Sequence, residues 1–332
     1  MKIIADKNIP FLNERIPEAD LIQLPSLDID SDAVKDADAL IVRTRTRCDS
    51  SLLKDSSVKL IATATIGTDH IDLDWCRKKG ISVCNAPGCN APGVALYVWS
   101  NLLRNGFDPH RHTLGVIGCG NVGGIVTQWG ERLGAKVLVC DPPRKEKELI
   151  DHDYMPLEEV LAQSDAVTLH TPLTYDGNHP TYHLINDDTI RYLKPGAIFV
   201  NAARGEVADT DTLIEAIGKG TIAHSIIDTW EGEPRIDLQL LKLADTATTH
   251  IAGYSVEGKQ RATRMALEAV GEILNTPVDL TGLKGAYEQP DELTERLIIS
   301  AYDPSEMTKA LKSDPNAFET LRNSYPLHKE LL

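Results

Sequence analysis

Short apolar runs separated by mixed polar–apolar stretches set the rhythm of this 332-residue chain. In the first ninety residues, positions 2–5, 21–24, 39–43, 60–64 and 81–84 read as strands. Helical spacing falls between them, as at 11–16 and at 73–79, where Gly80 supplies a stop. Such β–α alternation predicts a parallel sheet covered on both faces. The turn-rich run Asn85-Ala86-Pro87-Gly88-Cys89-Asn90-Ala91-Pro92-Gly93 then breaks the pattern, and Ala91-Pro92-Gly93 interrupts the apolar run that would open the next helix, at 94–104. Beyond it, strands are expected at 114–117, 136–141, 166–170, 197–201, 223–228 and 245–249, with helices at 157–163, 187–193 and 210–219. Residues 255–275 read as one long helix able to return to the first sheet. The remainder, from about 280, is polar and weakly periodic, with prolines at 290, 304, 315 and 326, and reads as a small appended module.

Within this pattern, Leu114-Gly115-Val116-Ile117 leads into Gly118-Cys119-Gly120-Asn121-Val122-Gly123-Gly124. A helical run to Gly134 follows, then a second strand closed by Asp141, eighteen residues past Gly123. A lone G-x-G-x-x-G means little, but strand, glycines, helix and acid in this order make a dinucleotide site. Gly118 permits the tight turn, Gly120 lets backbone approach a pyrophosphate, and Gly123 allows close helix–strand packing. Asn121 and Val122 open the helix whose N-terminal N–H groups face the phosphates. Asp141 suits a ribose and repels a 2′-phosphate, favouring NAD over NADP, although Arg144 stands nearby. The chain is thus read as α/β, a doubly wound parallel-sheet (Rossmann) NAD domain.

Downstream strand ends carry further chemistry: Arg204 in Asn201-Ala202-Ala203-Arg204-Gly205, Glu233 in Asp228-Thr229-Trp230-Glu231-Gly232-Glu233-Pro234, and His250 in Thr249-His250-Ile251-Ala252-Gly253-Tyr254. An alcohol gives up hydride only if its proton also leaves, and histidine is the natural base near neutrality. A carboxylate beside an imidazole fixes its tautomer and favours its charged form. A guanidinium grips a substrate carboxylate in bidentate fashion. Together the three suit oxidation of a 2-hydroxy acid.

These segments resemble the signatures of the D-isomer-specific 2-hydroxyacid dehydrogenases, and the likeness spans residues 1–275. It implies that Arg204 binds substrate, that Glu233 pairs with His250, and that His250 is the acid/base. It also implies a flavodoxin-like α/β substrate domain of residues 1–93 plus about 265–285, an NAD domain of 94–264, and an active site in the cleft. The turn Pro87-Gly88-Cys89-Asn90 together with Tyr254 points to members with a phosphorylated hydroxy acid as substrate. By that resemblance Thr44, Thr65 and Tyr254 contact substrate, while Asp141, Thr171, Asp228 and Gly253 contact NAD. The closing segment 314–325 resembles a dimerisation module, so 286–332 is expected to serve a homodimer. Two other readings stay open: a dehydrogenase of the glycerate, phosphoglycerate or lactate type, and a non-catalytic NAD-sensing protein on the same fold.

Composition sets limits on partners. Charged residues are 25% and hydrophobic residues 42%, an ordinary globular make-up, and the net charge of −15 argues against a general grip on nucleic acid or anionic membrane. An anionic ligand therefore needs a local basic cluster. Arg43-Thr44-Arg45-Thr46-Arg47, if extended, puts three arginines on one face, with Arg43 a candidate substrate contact. The six cysteines show no C-x-x-C pair and no zinc-like spacing, so no metal is expected and the thiols read as reduced. The N-terminus turns polar too early for a signal peptide, and no run approaches the length of a membrane span, so a cytoplasmic protein is expected.

Overall fold

Five strands, β1 (Lys2–Asp6), β2 (Asp20–Leu24), β3 (Ala39–Val42), β4 (Leu60–Thr63) and β5 (Ser82–Cys84), form a wholly parallel sheet in the order β2-β1-β3-β4-β5. That is the flavodoxin-like doubly wound order. β3 and β4 are buried along their whole length, as strands covered on both faces must be. The helix Val256–Leu274 packs on this sheet, burying Ala262, Ala266, Leu267 and Val270 with Ile3, Ile41 and Ala62. Ser255 caps its start by accepting from the Gly258 N–H, and Asn275 ends it in the left-handed conformation, φ 50°.

The second sheet holds β6 (Thr113–Ile117), β7 (Lys136–Cys140), β8 (Ala166–Leu169), β9 (Ala197–Asn201), β10 (Ile222–Ile227) and β11 (Thr246–Ala247). All are parallel, in the order β11-β10-β9-β8-β6-β7, and an isolated parallel bridge from Val139 to Tyr154 adds to the β7 edge. With that bridge counted, the order is that of a dinucleotide-binding sheet, and the direction of winding reverses at β6/β8. Helix Asn121–Leu133 follows β6 and stops at Gly134, φ 89°. The computed structural model describes residues 1–149 and 152–331 and divides into two units, Met1–Asn90 with Ser255–Glu288, and Ala91–Tyr254 with Gln289–Leu332.

Three local expectations need correction. Residues 11–16 form turns, because Phe11 (φ 63°) and Glu14 (φ 58°) take left-handed backbone that no helix tolerates. The arginine–threonine run is not extended either. β3 ends at Val42, the Thr46 N–H closes a turn on the Arg43 carbonyl at 3.2 Å, and the shared face is lost. The interruption at Ala91-Pro92-Gly93 is no interruption, since helix Ala91–Arg104 starts there. Proline fits the first turn, where its missing N–H has no intrahelical partner to lose. The C-terminal residues also do more than the polar pattern suggests: Ile298, Leu311 and Phe318 are all buried in the core of the second unit.

Candidate active site

The glycine loop sits where the winding reverses. A Cβ on Gly118 would lie 2.8 Å from the His170 carbonyl carbon at the end of β8, and one on Gly123 would lie 2.0 Å from the Gly118 oxygen. Protein packing therefore requires both glycines. Gly120 is different: nothing stands within 4 Å of the place its Cβ would take. Its smallness serves space outside the protein, as an approaching pyrophosphate demands. An open groove of about 650 Å³ begins there, lined by Cys119, Gly120, Asn121, Arg144 and His152 among others.

Asp141 closes β7 as predicted, but its carboxylate also builds the loop. One oxygen accepts the Cys119 N–H at 2.8 Å and the other the Arg144 N–H at 3.1 Å. Each carboxylate oxygen keeps a second lone pair, so a ribose hydroxyl can still donate. Thr171 follows β8, and its hydroxyl is buried without a hydrogen-bond partner among the described residues. Such an orphan invites a ligand. Beside it the half-buried His170 imidazole, 3.0 Å from the Thr168 hydroxyl, is held down to about 3 by burial. The open space at Gly120, the Thr171 hydroxyl and the spare acceptors of Asp141 all fit an adenine dinucleotide.

The carboxyl ends of β9, β10 and β11 lead into the loops that carry the candidate groups Arg204, Glu233 and His250. His250 has positive φ (58°), and its Nδ1 lies 2.6 Å from Glu233 Oε1. Burial alone would raise the Glu233 carboxyl, but the hydrogen bond and charge of His250, with the Arg322 guanidinium behind them, hold it below its usual value. The carboxylate thus stays charged and accepts from Nδ1–H, which makes Nε2 the candidate nitrogen for proton exchange with a substrate.

Two buried nodes fix this pair. Asp228, 1% exposed, accepts the Thr248 hydroxyl (2.6 Å) and the Ile251 N–H (2.8 Å) on one oxygen and the Ala252 N–H (3.0 Å) on the other. Its carbonyl takes the His250 N–H at 2.8 Å. Thr248 joins the two loops, because its carbonyl accepts Trp230 Nε1–H at 2.8 Å while its hydroxyl meets Tyr97 at 2.9 Å. The Tyr97 hydroxyl is pushed well above its normal value by burial, so it stays protonated. The Trp230 backbone in turn occupies the space that a side chain at Gly205 would need, locking the Arg204 loop to the Glu233 loop. Arg204 itself is half-buried, with one guanidinium nitrogen donating to the Ala203 carbonyl at 2.8 Å.

Sequence reasoning did not single out His183. Its Nε2 lies 2.6 Å from Glu231 Oε1 and its Nδ1 3.3 Å from Asp209 Oδ2, while the other Glu231 oxygen accepts the Thr210 hydroxyl (2.6 Å) and N–H (3.1 Å). Both ring nitrogens thus already have carboxylate partners, and the cluster anchors the loop two residues before Glu233. Arg322 was also missed; it reaches the site from the C-terminal segment, its Nε donating to the Tyr254 hydroxyl at 3.2 Å. Gly253 lies in the turn that the Tyr254 N–H closes on the Ile251 carbonyl, at 2.8 Å.

The remaining predicted residues belong to the first unit. Arg43 pairs with buried Asp6 at 3.1 Å, and Arg47 with Asp49 at 2.7 Å. Thr44 is exposed in the turn between them. The Thr65 hydroxyl meets that of Thr63 at 2.6 Å, and Thr63 lies 3.3 Å from His70 Nε2. The Pro87-Gly88-Cys89-Asn90 turn packs on helix Val256–Leu274, where Arg261 Nε donates to the Cys89 carbonyl at 2.7 Å.

Comparison with known proteins shows the family of the chain. The family model described as D-isomer specific 2-hydroxyacid dehydrogenase, NAD binding domain, matches residues 95–252. Erythronate-4-phosphate dehydrogenase of Bacteroides fragilis is 43% identical, over 99% of this chain and 97% of the relative. The Pseudomonas putida protein of the same name is 40% identical, over 100% and 93%. Among solved structures, the D-lactate dehydrogenase of Aquifex aeolicus, complexed with NAD and lactic acid, superposes with TM-score 0.66 at 27% identity, over 83% of this chain and 96% of its own. The chain belongs to the D-isomer specific 2-hydroxyacid dehydrogenase family.

Proposed function

We propose that this protein oxidises 4-phospho-D-erythronate to the 2-oxo acid, 3-hydroxy-2-oxo-4-phosphooxybutanoate, a step that the resemblance assigns to pyridoxal 5′-phosphate (vitamin B6) biosynthesis. The reading rests on the His250–Glu233 pair at 2.6 Å, set at the strand ends of the sheet that also carries the glycine loop. The full-length likeness to erythronate-4-phosphate dehydrogenases supports the choice of acid. NAD, when bound, accepts the hydride from the carbinol carbon. His250 Nε2 takes the hydroxyl proton, Glu233 stabilises the resulting imidazolium, and Arg204 holds the C1 carboxylate. We further propose that Gly118, Gly120, Asn121, Val122 and Gly123 cradle the pyrophosphate, with Asp141, Thr171 and Gly253 beside the nucleosides. Thr44, Thr65, Tyr254 and Arg43 are proposed as substrate contacts.

Asp228 is retained as a cofactor residue through the loop it shapes, since its carboxylate already accepts three internal hydrogen bonds. Six cysteines without a disulfide, five of them buried, suit a reducing compartment, and no helix among the described residues is long and apolar enough to cross a membrane. We place the protein in the cytoplasm as a homodimer. The test is a panel of erythronate 4-phosphate, glycerate, 3-phosphoglycerate and lactate, each with NAD and NADP. Turnover of the four-carbon phosphate with NAD is expected to dominate. Faster turnover of lactate or glycerate would move the protein to another branch of the family, and no turnover of any acid would leave a binding protein.

A further inference from the structure

We propose that Arg322 and the Tyr254 hydroxyl form the seat for the phosphate end of the substrate, so that the C-terminal segment sets substrate preference. This rests on the reading above, in which Arg204 holds the carboxylate end.

The C-terminal segment is fastened to the second unit close to the reacting groups. Helix Phe318–Ser324 buries Phe318, 1% exposed, in the core. The preceding helix, Ser305–Ser313, buries Leu311, and its Thr308 hydroxyl accepts the Ala247 N–H of β11 at 3.1 Å, three residues before His250. The segment also holds Tyr254 from two sides. The His328 N–H donates to the Tyr254 carbonyl at 3.2 Å, and Arg322 Nε donates to its hydroxyl.

Arg322 is well enclosed, its side chain 18% exposed, yet its hydrogen bonding is incomplete. Glu319, one turn before it on the helix, stands 3.9 Å away, beyond hydrogen-bond range. Among the described residues no hydrogen bond is made by its two terminal nitrogens. A guanidinium with Nε anchored and its terminal nitrogens held only by a long ion pair to Glu319 is a preorganised fork for a tetrahedral oxyanion. Its bond to Tyr254, four residues past His250, sets it beside the His250 loop, and its charge helps to hold the Glu233 carboxyl low. The basic run Arg43–Arg47, the sequence's own candidate for this role, has Arg43 and Arg47 already paired with Asp6 and Asp49.

The test compares Arg322→Gln and Arg322→Lys with the unaltered protein on 4-phosphoerythronate and on erythronate. For the phosphorylated acid, the glutamine variant is expected to lose about 10- to 100-fold in kcat/KM, chiefly through KM, as for loss of one or two charged hydrogen bonds. Erythronate should lose far less than the phosphorylated acid, so the preference for phosphate collapses, and lysine should restore part of it. Equal losses on both acids would mark Arg322 as a support for Glu233 or for the fold and overturn the phosphate seat. So would an unchanged preference. Direct titration with 4-phosphoerythronate separates the two proposals. If the unaltered protein binds this acid without oxidising it, the proposed function falls, while weaker binding by Arg322→Gln still supports the seat. Binding that is equal in both proteins, or absent from both, overturns the seat.

Discussion

A Cβ on Gly205 would lie 1.9 Å from the Trp230 carbonyl carbon, so the loop carrying Arg204 and the loop leading to Glu233 touch backbone to backbone. Neither can shift alone. Gly205→Ala must therefore displace main chain, and a cost of at least ~1–3 kcal/mol is expected, together with a loss of turnover far larger than the loss of dinucleotide affinity. Thermal unfolding and steady-state rates would show it. A variant with ordinary melting and ordinary turnover would mean that the two loops are not coupled.

The glycines of the nucleotide loop should separate into two kinds. Gly123→Ala forces a carbon to within 2.0 Å of the Gly118 oxygen and is expected to destabilise the protein itself. Gly120→Ala adds a methyl group to open space. It should melt like the parent yet bind NAD at least about tenfold more weakly, since a methyl group then stands where the pyrophosphate must approach. Fluorescence titration with NADH alongside calorimetry would separate the two. Normal NADH affinity in Gly120→Ala would remove the phosphates from this place.

His250→Ala should retain NAD binding and lose turnover by about 10²–10⁴-fold, the usual worth of a general acid–base group. Glu233→Gln is expected to lose less, because an amide can still meet Nδ1 at the same distance but cannot neutralise the imidazolium. Unchanged rates in His250→Ala would take the imidazole out of the chemistry.

How far the chain can be read without coordinates depends on whether a feature is local. The strands of both sheets are close to the positions their apolar runs mark, because a strand covered on both faces must be apolar throughout. The glycine loop is equally legible, since Gly123 answers to Gly118 five residues before it and Gly120 to the ligand, although Gly118 also answers to His170 across the sheet. What escapes is set by distant partners. Nothing around Asp228 announces that its carboxylate will gather Thr248, Ile251 and Ala252 from twenty or more residues away. Arg43 alternates with threonines as a strand residue would, yet Asp6 at the end of β1 takes it. Arg322 lies in a polar tail with weak periodicity, and only the burial of Phe318 brings it to Tyr254.

A dependence on pH follows from His170. Its imidazole takes a proton in the unfolded chain near 6.5 but resists it in the folded protein down to about 3. The unfolded state binds more protons over that window, so stability falls as pH drops below 6.5, by up to about 1.4 kcal/mol per pH unit. Denaturant unfolding at pH 7 and pH 5 should show a steeper loss for the parent than for His170→Gln. Parallel losses would mean that this group is not the source.

The pairing of Arg43 with Asp6 and Arg47 with Asp49 has a consequence for encounter rates. Cations already answered by neighbouring carboxylates project little field, and the chain as a whole carries −15. A phosphorylated carboxylate approaching it is repelled over roughly a Debye length, ~10 Å at 0.1 M salt, before any arginine can grip it. Moderate salt should accordingly speed the capture of substrate in stopped-flow measurements, even as it loosens the contacts made afterwards. An enzyme that guided its anionic substrate by long-range attraction would slow down under the same salt.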